Sequence, residues 1–260
     1  MYDLPPDLVV TADGPVRIIE LNRPQQLNAM SEQLHSALAR VWDAVAADAE
    51  ARAVVLTGRG RAFSAGGDFE VMRRVQQDAA FRDLNVAEAR RIILGMLRCP
   101  VPIVAAVNGP AVGLGSSLAL LSDLVLIAQD AYIADPHVRV GLVAGDGGAL
   151  LLPLLVGPAR AKELLFLGDR VGAHEAVRLG IANRAVPDDK LMDEALDLAR
   201  RLAALPAQAL RETKRAVNLH AEHAIDNVLE AALLAERDSM HSPEHIAIVD
   251  GIIARKQQPR

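Results

Sequence analysis

The chain has 260 residues, 51% of them apolar but only 3% aromatic, and a formal charge of -5. A chain of this length usually builds one core with an appendage. An interior of Ala, Val, Leu and Ile with few rings suits an α/β protein of helices packed on strands. Acids and bases are interspersed, so no basic stripe offers itself to nucleic acid and no polybasic run to a membrane surface. Cys99 is the sole cysteine, which excludes an intrachain disulfide, and no Cys/His spacing suggests a metal site. Beside Pro100, it reads as a small buried hydrophobe. The first residues, Met1 to Pro6, lack the basic and apolar pattern of a signal, and no apolar run is long enough to span a bilayer. The expected location is cytoplasmic.

Leu8 to Thr11 and Val16 to Leu21 are β-type runs joined by Ala12-Asp13-Gly14-Pro15, a hairpin pattern. Ser31 is placed to cap a helix carrying Leu34, Leu38, Val41 and Val45 on one face. Ala53 to Thr57 is a continuous apolar run ending at Gly58, as in a strand buried on both faces. The pattern predicts a helix over Val86 to Leu97, stopped by Cys99-Pro100-Val101-Pro102, and a second buried strand over Ile103 to Val107. Gly113-Leu114-Gly115-Ser116-Ser117 leads into a short helix ending near Ser122, and Leu124 to Ala128 returns as a strand. Past Pro206 the chain reads as helical, with Ala216, Leu219, Ile225, Leu229 and Leu233 among its apolar positions. The expected division is a core over residues 1–205 and a helical segment over 206–260 acting as one functional unit, with Lys256 to Arg260 loose.

Two loops share one logic. In Ala65-Gly66-Gly67-Asp68 and in Gly113-Leu114-Gly115, a buried strand gives way to a small-residue turn and then to a helix start. Such turns let unpaired N–H groups face a ligand and bind developing negative charge. Taken singly, either loop also fits an ordinary tight turn.

In order and wording these segments resemble the crotonase superfamily, the enoyl-CoA hydratase and isomerase family, over almost the whole chain. The resemblance is carried by Leu21-Asn22-Arg23-Pro24 with Leu27-Asn28-Ala29, by Val54-Val55-Leu56-Thr57-Gly58 with Ala62 to Asp68, and by Val104 to Gly109 with Gly113 to Gly115. Gly141-Leu142, Gly147-Gly148, Ala161-Lys162-Glu163-Leu164-Leu165, and Ala176 with Leu179-Gly180-Ile181-Ala182 add to it. It implies a ClpP/crotonase-like β-β-α spiral with a C-terminal helical segment, and an acyl-coenzyme A thioester as substrate. Coenzyme A would enter as part of that substrate, with no tightly bound cofactor. It implies that the N–H groups of Gly67 and Leu114 form an oxyanion hole, that Leu27, Ala29, Ala65, Asp68, Phe69 and Gly113 lie along the coenzyme A path, and that the chain forms a homotrimer or a dimer of trimers. A backbone donor survives side-chain replacement, so Leu114 can serve where relatives often carry Gly.

The acid and base depart from the family pattern. The two glutamates of the hydratases correspond here to Ser117 and His137, so hydration by the two-glutamate route is expected to be impaired. Asp146 lies near where some isomerases and a dehalogenase of the family carry a catalytic aspartate, but it would also suit a helix N-cap. His137 could act as a base or simply pack, and Ser117 could bond to backbone. Asp68 would support the loop from a helix start. Glu88 and Arg91 have the spacing of a solvated helix pair; His241 and His245, an i,i+4 pair, could chelate a metal, but with no clustered carboxylates or cysteines to complete a site, a surface or interface role is expected for His220, His223, His241 and His245. Ile252 to Lys256 lacks the aromatic residue that relatives often place near the adenine.

Two other classes remain open at this point. Gly113-Leu114-Gly115-Ser116-Ser117-Leu118 faintly echoes a nucleotide-binding oxidoreductase turn, but Leu118 stands where a small residue belongs and the following helix is short for a parallel crossover. A crotonase-like protein that binds acyl-CoA without turning it over is the non-enzyme alternative.

Overall fold

The computed structural model describes residues 2–257, with side chains to residue 255; most of the segment expected to be loose, Lys256 to Arg260, lies outside the described residues. The chain opens with the hairpin of β1 (Leu8–Asp13) and β2 (Val16–Leu21), paired antiparallel from Leu8 opposite Leu21 to Asp13 opposite Val16. Helix α1 (Glu32–Ala47) starts where Ser31 Oγ accepts the Leu34 N–H at 3.1 Å, and it buries Leu34, Leu38, Val41, Trp42 and Val45. Every residue of β3 (Ala53–Gly58) is buried, as befits a strand covered on both faces.

After the first glycine loop come α2 (Phe69–Gln77) and α3 (Ala79–Arg98). Helix α2 starts where the first glycine loop predicts a helix, with Asp68 as its cap, but only Val75 in it is buried, so it lacks a broad apolar stripe. Helix α3 begins earlier than the pattern predicts because Asp78 Oδ1 accepts the Phe81 N–H at 3.0 Å. Strand β4 (Ile103–Val107) is fully buried, and β5 (Ala111–Val112), α4 (Leu114–Leu121), β6 (Leu124–Ala128) and β7 (Tyr132–Ala134) follow. Despite the shortness of α4, β4 and β6 are parallel neighbours, so its length was no argument against a crossover. Helix α5 (Gly148–Leu167) is broken at Gly157, and β8 (Val171–Gly172), α6 (Ala173–Arg178), β9 (Arg184–Val186) and α7 (Leu191–Ala203) complete the α/β part.

The strands form a six-stranded sheet ordered β1-β2-β3-β4-β6-β9 and a small sheet ordered β5-β7-β8. From β2 to β9 the large sheet is parallel, so the exits of β3 and β4 lie at one edge. Bridges between Met30 and Gly67 and between Ser64 and Ala111 tie those exits together. This places both glycine loops beside each other at the strands' carboxyl ends, where open parallel sheets receive ligands.

Beyond Pro206 the described chain is helical: α8 (Ala207–Ala224), a π turn at Ile225–Leu229, α9 (Glu230–Ser239) and α10 (Pro243–Gln257). Helix α8 turns Ala216 and Leu219 outward and buries Lys214 instead. Lys214 Nζ donates to Asp123 Oδ2 at 2.7 Å and to the Val101 carbonyl at 3.0 Å, pinning the helix to the mouth of β4. Helices α9 and α10 then fold back over α3 and α2. Among the described residues, no helix is long and apolar enough to cross a membrane.

Candidate active site

The first loop is set by Asn28, which is fully buried in a left-handed conformation at φ 55°. Its Oδ1 accepts the Arg23 N–H at 2.8 Å, and its Nδ2 donates to the carbonyls of Arg59 and Ala62 at 3.0 and 2.8 Å. Ser64 Oγ donates to the Asn28 carbonyl at 2.8 Å and accepts the Gly66 N–H at 3.2 Å, while the Ala65 N–H reaches the Leu27 carbonyl. The turn is completed by positive φ at Gly66 (85°), and Gly113 (55°) does the same for the second loop. The Gly113 N–H is held by the Ala134 carbonyl at 3.0 Å, and α4 begins at Leu114. Among the described residues, neither the Gly67 nor the Leu114 N–H meets a hydrogen-bond acceptor, and both residues line one cavity. Two unpaired backbone donors facing the same space can hold an oxyanion.

Asp68 caps α2, accepting the Glu70 N–H at 3.0 Å on Oδ1 and an Arg23 hydrogen bond at 3.0 Å on Oδ2. A groove of about 660 Å³ runs along this loop, and Leu27, Ala29, Ala65, Asp68, Phe69 and Gly113 all line it, together with Arg23 and Arg61. Gly67 and His137 border this groove and also the inner cavity, which has about 80 Å³ and holds Leu114, Asp146, Glu236, His35 and His245 among its walls. A long polar ligand in the groove would therefore project a short group past Gly67 into the cavity.

The inner cavity concentrates titratable groups. His137 lies on the short turn His137–Val140 and is 8% exposed; its Nδ1 donates to Asp135 Oδ1 at 2.5 Å, and its Nε2 faces Asp146 Oδ2 at 3.4 Å. Ser117, fully buried on α4, donates its hydroxyl to Asp146 Oδ1 at 3.2 Å. Asp146 is not an N-cap: Gly147 precedes α5 with no side-chain capping bond, because the carboxylate is turned inward to Ser117 and His137. Burial alone disfavours an imidazolium at His137, but Asp146 and then Asp135 outweigh it, and its pKa lies well above the usual histidine range. For Asp146 the order is similar: burial would raise it, but the His137 charge and bonds from His137 and Ser117 hold it below the usual carboxylate range. His137 is thus poor as a base, whereas Asp146 stays ionised.

The family model for enoyl-CoA hydratase/isomerase matches residues 11–257. The chain belongs to the enoyl-CoA hydratase/isomerase family. It is 36% identical to the 1,2-epoxyphenylacetyl-CoA isomerase of Escherichia coli (strain K12) over 86% of this chain and 84% of that one. With a putative enoyl-CoA hydratase of Thermus thermophilus it shares 39% identity over 80% and 82%. The crystal structure of an enoyl-CoA hydratase/isomerase from Mycobacterium paratuberculosis superposes with a TM-score of 0.94 at 49% identity, covering 96% of this chain and all of that one. The crotonase-type fold and an enzyme acting on coenzyme A thioesters follow from this membership.

Several site groups of this hydratase/isomerase escape the sequence pattern. Glu88 is not a solvated partner of Arg91: it is buried on α3, and its Oε2 accepts from His35 Nδ1 on α1 at 3.0 Å. Burial pushes Glu88 up, but the His35 bond and charge bring it below its usual range. His245 is wholly buried and His241 lies outside α10, so the two are neither a surface pair nor a chelating one. Glu236 on α9 is 5% exposed, and burial together with the Asp146 charge pushes its carboxyl well above the usual range. None of these has a local signal, since each is an ordinary helical charge until distant elements pack around it. Asp135, His137 and Asp146 offer ligand atoms within 4.8 Å of one another, the one such cluster among the described residues. Both imidazole nitrogens face carboxylates there, which is how an imidazolium is held, and not a metal-bound neutral ring.

Proposed function

We propose that the protein shifts the double bond of an enoyl-CoA thioester, with Asp146 as the base. The thioester carbonyl oxygen sits between the N–H groups of Gly67 and Leu114, and the pantetheine and nucleotide lie in the groove along Leu27, Ala29, Ala65, Asp68, Phe69 and Gly113. Asp146 removes the proton next to the carbonyl of a 3-enoyl group. The C–H electron pair enters a dienolate whose charge rests on the carbonyl oxygen, where each preorganised donor is worth roughly 2.7 to 4 kcal/mol. Returning that proton at the far carbon gives the conjugated 2-enoyl product, with no net gain or loss of atoms or electrons. His137 positions Asp146 and keeps it ionised; Ser117 orients its other oxygen.

The observation that carries this reading is that one ionised carboxylate, Asp146, shares a small cavity with two unpaired N–H groups, where hydratases use two glutamates. A relative that is an isomerase adds support. The test is conversion of 3-enoyl-CoA, together with deuterium uptake next to the thioester. Asp146→Asn should reduce both by a factor of about a hundred to ten thousand. Crotonyl-CoA hydration at rates ordinary for the family, or undiminished exchange in Asp146→Asn, would overturn the assignment.

We further infer that residues 206–260 belong to the same functional unit, because Glu236, Met240 and His245 wall the cavity. Assembly as a homotrimer or dimer of trimers is supported by the exposed Leu154, Leu155, Phe166 and Leu167 of α5, an apolar surface for a second copy to cover. Light scattering decides that point. A cytoplasmic location is supported by the single buried thiol, Cys99.

A further inference from the structure

Two polar sites in the acyl cavity, one ring nitrogen of His245 and the carboxyl of Glu236, have no role in the proton transfer and no hydrogen-bond partner among the described residues. His245 is fully buried, and its Nδ1 is 2.6 Å from the Val140 carbonyl, which can only accept. The proton therefore sits on Nδ1, and Nε2 carries a lone pair. That Nε2 is buried and has no hydrogen-bond partner among the described residues. Burial also lowers the His245 pKa, with the Val140 bond opposing it, so the ring stays neutral. The second group is Glu236, whose side chain has no hydrogen bond or ion pair among the described residues although 5% of the residue is exposed. Its carboxyl lies against the backbone of Gly145, where a Cβ would come within 2.7 Å of Oε2. Both residues line the cavity that holds Gly67, Leu114 and Asp146.

A saturated or plain olefinic chain would leave both groups dry and unpaired, the most unfavourable state for buried polar atoms. Much of the rest of the wall, Met30, Val71, Met72, Val75, Leu142 and Met240, suits a hydrocarbon stem, with His35, Asn85 and His137 its other polar side chains. A ligand that is apolar along its length and presents one donor and one acceptor would satisfy both groups. A hydroxyl does this with one atom.

We propose that the wall formed by α9 and α10 is a hydroxyl-recognition subsite, in which His245 Nε2 accepts a hydrogen bond from a hydroxyl on the acyl chain and the Glu236 carboxyl donates one to the same oxygen. The substrate class is then a hydroxylated acyl-CoA thioester. Burial and the neighbouring Asp146 keep Glu236 in the protonated form that this donation needs. The proposal rests on the acyl-thioester reading of the cavity given above.

The test is calorimetric titration of the full chain with a ladder of saturated ω-hydroxyacyl-CoA thioesters, each paired with the thioester in which a methyl replaces the hydroxyl. At the length that reaches the subsite, the hydroxy member should bind at least about ten-fold more tightly, since a site built to bond a hydroxyl rejects the analogue lacking it. His245→Phe and Glu236→Leu should each bring that ratio to near one while the alkyl member still binds. Glu236→Gln, which keeps a donor, should preserve it. A ratio near one at every length in the unaltered protein, or a preference that survives both His245→Phe and Glu236→Leu, overturns the subsite and leaves the thioester reading standing. If no thioester of either series binds, the thioester reading falls and the subsite with it.

Discussion

Replacing Glu236 by Gln should change how stability depends on pH in a direction set by its enclosure. In an unfolded chain this carboxyl titrates near 4.5, whereas in the folded protein burial and the Asp146 charge hold it protonated well above that value. Below the unfolded pKa both states carry the proton and the group contributes nothing to the pH dependence. Above it the unfolded state releases the proton and the folded state keeps it, so folding is penalised as pH rises. The slope approaches about 1.4 kcal/mol per pH unit and levels off only once the folded carboxyl ionises. Gln cannot titrate and escapes the penalty. The stability of the unaltered protein minus that of Glu236→Gln should therefore fall steadily from about pH 5 upward, whatever its starting value. Urea unfolding of both proteins across a pH series measures it, and titrations common to the two largely cancel in the difference. A difference that stays level between about pH 5 and about pH 8 would refute the reasoning, because Glu236 would then ionise in the folded state much as it does in the unfolded one.

Removing the imidazolium beside the base should shift the pH–rate profile. In His137→Ala, burial of Asp146 is no longer offset by the charge that now lowers its pKa, so the acid limb for 3-enoyl-CoA conversion should move to higher pH; an unmoved limb would place the base elsewhere. Gly66→Ala combines a φ of 85° with a Cβ only 2.9 Å from the Val112 carbonyl oxygen. It should displace the Gly67 donor and reduce kcat/KM by a factor of about a hundred or more, against near-normal rates if that N–H is idle. Lys214→Met leaves the partly buried Asp123 without its cation and should reduce unfolding free energy by about 1 to 3 kcal/mol. Adding Asp123→Asn should recover part of that loss, and strict additivity of the two would exclude coupling between them.

Local features were legible where the chemistry is local. The Ser31 cap, the hairpin through Gly14 and the buried runs Ala53 to Thr57 and Ile103 to Val107 follow from neighbouring residues, and they appear as expected. Helix α2 was legible only at its start, at Asp68, because its single buried residue, Val75, leaves no periodic stripe to mark its extent. Glu88 illustrates the opposite error. Its spacing to Arg91 is that of a surface pair, but its actual partner, His35, lies 53 positions away on another helix. The Asp146 capping alternative failed for the same reason: its partners, Ser117 and His137, come from α4 and from the turn after β7.

The sequence by itself determined the layered α/β architecture, the family, and the two glycine loops, because turns, caps and buried strands are written in adjacent residues and a backbone N–H needs no particular side chain. Only the tertiary structure decided the chemistry of the cavity. His137, Asp146 and Glu236 reach it from three different elements, and their charges follow from burial and from distances of a few ångströms. Those quantities exist only after the chain has packed, when an inward-facing carboxyl either meets a cation, as Asp146 does, or keeps its proton, as Glu236 does.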